Sequence, residues 1–302
     1  MKKDIIEIKS ITQIHDAIGC SKPKHPLVTV LPMDKLSSYD YGDFTYVMDV
    51  YQVSLKTGIS GSIIYGRNSY DFQEGTMVFS KPNQSMKYSK NEPTGNESGW
   101  SLFFHPDLIR KSELSKTIDQ YSFFSYDANE ALHLSEEERD SLTELVTKIE
   151  KEYSQNIDQH SHELIIANIE LILKYCARYY DRQFYTRTNI NKDAFSQFEN
   201  LLKDYYDSNK PLEIGVPTVR YCAQELNMSG HYLSDMLRKE TGKSAQEHIY
   251  TFLINKAKTV LLGTDETVSQ VAYELGFEYP QHFSKLFKSK TGMSPNQYRE
   301  LS

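Results

Sequence analysis

Cysteine is scarce and scattered: Cys20, Cys176 and Cys222 are the three in 302 residues. An odd set at these spacings builds no disulfide framework and has no metal-ligand pattern, so the thiols read as reduced side chains. Long apolar runs are also missing. No stretch reaches the ~20 residues that a bilayer crossing needs, and no membrane role is expected. The opening segment, MKKDIIEIKSITQ, carries charge without a sustained apolar core, unlike a secretory signal, so a cytoplasmic location is the expectation. Clustered histidines are absent as well. His15, His25, His105 and His133 form no H-x-H pair, and His160 and His162, two apart, fall on different faces of a helix. No metal and no cofactor is expected.

What is present suits a globular chain of roughly two domains at ~150 residues each. Hydrophobic residues make up 39% and charged residues 25%, enough for real cores. The net charge of −7 looks wrong for a polyanion binder, but it is unevenly spread. Residues 212–302 hold 10 Lys+Arg and 10 Asp+Glu, so the remaining 24 and 31 place the whole −7 in residues 1–211. Within the neutral tail, 281–299 carries Lys285, Lys288, Lys290 and Arg299 with no acid. Affinity for phosphates follows the local surface and not the chain total.

Residues 21 to about 106 read as strands and turns. In FTYVMDVYQVSL (44–55), Tyr51, Val53 and Leu55 alternate with Gln52 and Ser54. GSIIYG, TMVFS and GWSLFF are further β-rich runs bounded by Gly, Pro and Asn, and many short strands suggest a small barrel or sandwich. After Pro106 the period changes. Ser135 and Glu138 form a capping-box pair, followed by Leu142, Leu145, Val146, Ile149 and Tyr153 at helical spacing. A second helix runs from about His162 to Arg182. Its stripe of Ile165, Ile169, Ile172, Cys176 and Tyr179 is widened by Leu164, Ile166, Leu171 and Leu173. Apolar surface on more than one face needs more than one partner: the barrel, and either more of the same core or a second subunit. A third helix spans roughly 193–208, and the polar SNKPLEIGVP stretch after it is the expected domain boundary.

The tail repeats itself. Ala223, Glu225 and Leu226 match Ala272, Glu274 and Leu275 at an offset of 49. Ser234, Thr241, Gly242 and Ser244 match Ser284, Thr291, Gly292 and Ser294 at 50, so the second copy has one extra turn residue. Each copy has the parts of a helix-turn-helix. A small residue (Ala223, Ala272) lets helices cross closely, and a turn residue tolerant of positive φ follows (Asn227, Gly276). Gly242 and Gly292 suit the helix stop. The pairs Ser244/Glu247, Thr267/Gln270 and Ser294/Gln297 are capping boxes, and Pro295 falls at the first helical position. Residues 245–262 form a connecting helix. Since a helix fits the major groove, two of them on a rigid connector suit adjacent grooves about 34 Å apart.

The segment VSQVAYELGFEYPQHFSKLFKSKTGMSPNQYR resembles the C-terminal signature of the AraC-family transcription regulators, and the likeness covers about 215–301. It implies promoter binding through both units. It also implies an N-terminal domain, often a cupin-like barrel, that senses a small effector or mediates dimerisation. By this resemblance the first recognition helix exposes His231, Ser234 and Asp235, and the second exposes Pro280, Gln281, Ser284 and Lys285. Gln281 suits adenine and Lys285 suits guanine or phosphate; Arg238, Lys239 and Lys288 suit phosphates. Asp235 departs from the Arg common there and either accepts from cytosine N4 or repels phosphate. His231 and His282 read equally as ordinary exposed residues. EGTMVFSKPNQSMKY (74–88) resembles the second half of a cupin-like barrel without its metal histidines.

The expected architecture is α+β and multidomain. A cupin-like β-barrel (1–134) is followed by a helical linker or dimerisation region (135–210) and an all-α double helix-turn-helix domain (211–302). Tyr46, Tyr51, Tyr65, Phe79 and Trp100 are the candidate effector lining or else barrel core. Ile165, Ile169, Ile172, Cys176 and Tyr179 are the candidate dimer face. The partners expected are double-stranded promoter DNA, RNA polymerase, a small effector and a second copy of the chain. The function expected is an AraC-family regulator, an activator, with no enzymatic activity. Two rivals remain: an enzyme with a DNA-binding tail, and a ligand-independent architectural or partner-binding protein.

Overall fold

The computed structural model describes residues 5–42, 44–57, 75–86, 98–127, 130–155, 158, 160–186 and 188–300. They belong to two compact units, Met1–Thr186 and Arg187–Ser302. The first is α+β and the second is helical, as the fold class anticipates at this level.

The strands of the first unit are β1 (Ile5–Ile8), β2 (Val28–Pro32), β3 (Thr45–Met48), β4 (Tyr51–Thr57), β5 (Gly75–Ser80), β6 (Ser85–Met86), β7 (Ser98–Phe104) and β8 (Leu132–Leu134). Antiparallel pairing orders five of them β2-β7-β4-β5-β8, and β1-β3-β6 form a separate sheet in which β1 and β3 run parallel. The run 44–55, expected as one strand, is therefore two strands in different sheets. The chain bends at Asp49 and Val50, where the Asp49 N–H donates to the Ile8 carbonyl at 2.9 Å. GSIIYG lies outside the described residues.

Alternation along β4 survives, and both of its faces are covered. Val53 pairs with Leu102 and Phe79, and Leu55 with Trp100 and Met77, all buried on one side. On the other side Ser54 and Ser101 are buried too. Their hydroxyls share a 2.5 Å hydrogen bond, and Gln52 Nε2 donates to Ser54 Oγ at 2.8 Å. Pairing the hydroxyls removes the penalty that would otherwise push serine toward water.

The helices of this unit are α1 (Ile11–Ala17), α2 (Met33–Ser37), α3 (Pro106–Ile109), α4 (Leu114–Thr117), α5 (Glu136–Ser154) and α6 (Ser161–Thr186). Both reciprocal bonds of the expected capping box start α5: the Glu138 N–H donates to Ser135 Oγ at 3.3 Å and the Ser135 N–H to Glu138 Oε2 at 3.1 Å. Glu138 also receives a bidentate pair from Arg182, at 3.0 and 2.8 Å, while Arg182 Nη2 donates to the His133 carbonyl at 2.7 Å. One carboxylate thus ties α5, α6 and β8 together.

On α6 the expected dimer stripe is core. Ile165, Ile169, Ile172, Cys176 and Tyr179 are buried, so no second chain reaches them without unfolding the unit. Burial pushes the Cys176 thiol well above its usual range, as an inert core group requires. Leu164, Leu171 and Tyr185 are exposed on this helix.

The second unit comprises α7 (Thr188–Tyr206), α8 (Lys210–Ile214), α9 (Val219–Glu225), α10 (Gly230–Thr241), α11 (Ala245–Gly263), α12 (Val268–Glu274), α13 (Pro280–Thr291) and α14 (Pro295–Arg299). The division after Thr186 places α7 here and not with α6. Tyr205 and Tyr206 sit in one core with Leu253, Ile254 and Ala257 of α11 and Phe283 of α13. Lys256 Nζ donates to the Tyr206 carbonyl at 2.8 Å. SNKPLEIGVP is no free linker either. It contains α8, and the Gly215 carbonyl accepts from the Tyr205 hydroxyl at 2.7 Å.

Candidate nucleic-acid interface

The two copies repeat down to single hydrogen bonds. In the first turn the Met228 N–H donates to the Ala223 carbonyl at 2.8 Å; in the second, the Phe277 N–H donates to the Ala272 carbonyl at 2.9 Å. Both alanines are buried where the helices cross. Asn227 has φ 55° and Gly276 φ 89°, the positive values read from sequence. Gly242 and Gly292 end α10 and α13 in the left-handed region at φ 78° and 81°.

The threonine before each of these glycines does more than sequence reasoning assigned to it. Thr241 Oγ1 donates to the Leu237 carbonyl and Thr291 Oγ1 to the Phe287 carbonyl, each at 2.8 Å. Each hydroxyl also accepts the N–H two residues on, from Lys243 and Met293. The repeated Thr-Gly is thus a complete stop, and its pairing with the next capping Ser was the signal in the sequence. The capping boxes at Ser244, Thr267 and Ser294 are all formed.

The copies differ at one cap. Ser229 accepts the Tyr232 N–H to start α10, whereas Tyr279, at the end of the longer turn, makes no side-chain cap for α13 and Pro280 supplies the first helical φ instead. The Tyr279 ring is exposed and lies edge-on to His282 at 5.5 Å. This ring pair was not foreseen.

Each recognition helix is amphipathic, and its apolar side faces inward. Tyr232, Leu233, Met236 and Leu237 of α10 are buried, as are Phe283 and Phe287 of α13. Outward, His231, Arg238 and Lys239 on α10 and Gln281, Lys285 and Lys288 on α13 are exposed, while Ser234, Asp235, Pro280 and Ser284 are partly covered. Asp235 is not a bare acid: its Oδ1 accepts from Arg238 Nη1 at 3.1 Å. The connector α11 packs Leu253, Ala257 and Leu261 against Val271, Ala272, Phe283 and Phe287 of the second copy.

Electrostatics link the two helices. The Glu247 carboxyl, at the start of α11, is held below the usual carboxylate range by the Ser244 N–H and hydroxyl, with further help from Lys290 of α13 and Arg238 of α10. Cations of both recognition helices therefore act on one point of the connector. His248, one residue on, has its pKa lowered, mainly by burial. Its Nε2 is 2.7 Å from Thr241 Oγ1 and its ring lies beside Phe195 of α7 at 5.3 Å. It pins α7, α10 and α11 together.

The effector candidates are not gathered into one site. Tyr46 is buried on the smaller sheet and donates to the Tyr41 carbonyl at 3.0 Å; burial raises its hydroxyl to about 12. Tyr51 stacks on Phe104 at 4.9 Å, and burial raises its pKa as well. Trp100 Nε1 donates to Thr143 Oγ1 of α5 at 3.1 Å. Phe79 borders a small cavity, and Tyr65 lies outside the described residues. Among the described residues, no three His, Cys, Asp or Glu side chains are grouped to hold a metal, and no helix is long and apolar enough to cross a membrane.

Two capped, repeated helices with polar outer faces on a shared connector define a tandem helix-turn-helix DNA-binding domain, and the chain is a DNA-binding transcription regulator. A family model described as a helix-turn-helix domain matches residues 222–301. The matched domain and the relatives support an AraC-family transcription regulator. It is 23% identical over 277 residues to the HTH-type transcriptional regulator YfiF of Bacillus subtilis (strain 168), covering 86% of this chain and 80% of that one. It is 24% identical over 258 residues to the HTH-type transcriptional activator RhaS of Enterobacter sp. (strain 638), covering 83% and 86%. Among solved structures, the C-terminal domain of the two-component response regulator yesN from Fusobacterium nucleatum is 28% identical. That match covers 35% of this chain and 98% of that one, with a TM-score of 0.32.

Proposed function

We propose that this chain is a one-component regulator: an N-terminal region that senses a small effector or dimerises, a helical relay, and a DNA-reading tail. The functional division is 1–134, 135–210 and 211–302, the first part being a cupin-like barrel. Helix α7 falls in the relay by sequence and is packed into the tail, which makes it the piece through which a signal reaches α10. The chain acts in the cytoplasm, without catalysis of its own. Activation through RNA polymerase is the output we infer, in line with the name of the Enterobacter relative.

On the DNA, Gln281 and Lys285 read base edges, and Arg238, Lys239 and Lys288 meet phosphates. His231, Ser234, Pro280 and Ser284 complete the groove-facing surface. Asp235 serves mainly to hold Arg238, and this favours a positioning role over direct cytosine contact. The observation that carries the reading is the matched pair of amphipathic helices, each with a polar outer face and a buried inner one. An enzyme with a DNA-binding tail would need a reactive group, and burial raises the thiols of Cys176 and Cys222 away from reactivity.

Titration of the purified chain against DNA upstream of its own gene tests this reading. Three phosphate partners give a log–log salt slope near −2.7, so affinity falls roughly 40-fold between about 50 and 200 mM salt. Equal affinity for unrelated duplexes across that range would remove the proposal.

A further inference from the structure

We propose that the cavity beside β5 is a site for a small quaternary or fully methylated ammonium cation, an inference that rests on the sensor reading above and names its ligand class. The cavity measures about 130 Å³. Its wall includes the rings of Phe79, Phe123, Tyr126 and Tyr180, the thioether of Met77, and Asp127.

The rings brace one another. Phe79 and Phe123 lie 4.5 Å apart, Phe123 stacks on Tyr180 at 5.5 Å, and Tyr126 meets Tyr180 edge-on at 5.2 Å. The Tyr180 hydroxyl donates to the Glu130 carbonyl at 3.2 Å and fixes the ring at its far end. A ligand therefore meets a preformed wall and little ordering opposes its entry. The volume is close to that of an engineered cavity of about 150 Å³ that admits benzene. A trimethylammonium head with its first methylene is of similar size.

Charge selects among ligands of that size. Aromatic faces carry negative potential and attract a cation. Asp127 adds a carboxylate to the lining, and its N–H donates to Glu130 Oε2 at 2.7 Å, so a second acid stands beside it. The neighbouring ammonium, Lys81, donates to Ser125 Oγ at 3.0 Å and is not part of the wall. A primary ammonium would bring three N–H donors, which the aromatic faces and the Met77 thioether do not satisfy. A quaternary ammonium brings none. It satisfies the rings and the carboxylate and leaves no donor unpaired.

Calorimetry and thermal shift on the full chain with choline chloride and with 3,3-dimethylbutan-1-ol, its neutral carbon isostere, test the proposal. Choline is expected to bind at least about tenfold more tightly than the isostere. Asp127→Asn should weaken choline several-fold and leave the isostere unchanged. That exposed substitution does not threaten the fold, and Tyr126→Leu, on the half-buried ring, should weaken choline again. Equal binding of the two probes would make the cavity merely apolar and overturn the cation class. If neither probe binds, the site is wrong. In that case a stabilising metabolite of another class would preserve the sensor reading, and silence across a metabolite panel would remove both.

Discussion

Lys285→Ala is expected to weaken binding to the cognate promoter site by roughly 5- to 150-fold, about 1–3 kcal/mol, while leaving the fold intact. The side chain is exposed on α13, and α13 is held from its other side by Phe283 and Phe287, so its removal opens no cavity. Discrimination should fall with affinity, because a base-edge contact carries sequence information. Lys288→Ala provides the contrast. As a phosphate partner it should lower affinity about equally on all sequences and reduce the salt slope by about 1. Competition binding against single-base variants separates the two. A Lys285→Ala protein with unchanged affinity and unchanged base preference would remove this residue from the reading surface.

Gly276→Ala should damage the second helix-turn-helix far more than the change of one methyl suggests. At φ 89° an alanine is strained by about 1–2 kcal/mol. Its Cβ would also fall 2.6 Å from the Gly215 carbonyl carbon, which is backbone and cannot rotate away. Overpacking of this kind adds about 1–3 kcal/mol, for a total of roughly 2–5 kcal/mol. Gly242→Ala isolates the strain component, because nothing lies within 4 Å of its added Cβ. In a chain of two units a single melting point mixes both, so amide hydrogen exchange across α12 and α13 is the proper readout. Protection there should collapse in Gly276→Ala and fall modestly in Gly242→Ala within α10. Equal losses would show that the Gly215–Gly276 contact does not restrain the turn.

This contact also shows where sequence reading stops. Positive φ at Asn227 and Gly276, the glycine stops and the capping boxes were all legible, because each is set by residues within five positions of one another. That Gly215 would lie against Gly276 was not, since the two are distant in sequence and a Pro/Gly-rich stretch looks the same whether it is a loose linker or a tight packing point. The same reason explains the first unit. Val53 and Leu55 announced a strand, but nothing local said that the chain would turn at Asp49 into another sheet. On α6, a wide apolar stripe told only that several partners were needed. The answer, that Ile165 to Tyr179 face the unit's own core, depends on elements whose arrangement no periodicity encodes. Tyr279 was missed because an aromatic residue at a cap position has no local rule to mark it.

The central claim is that one chain lays α10 and α13 into successive major grooves on one side of a duplex. Methylation interference on the cognate site measures this directly. Two blocks of major-groove guanines, centred about 10 base pairs apart and lying on the same face, are the expected result. A single block, or two blocks half a turn out of phase, would contradict it.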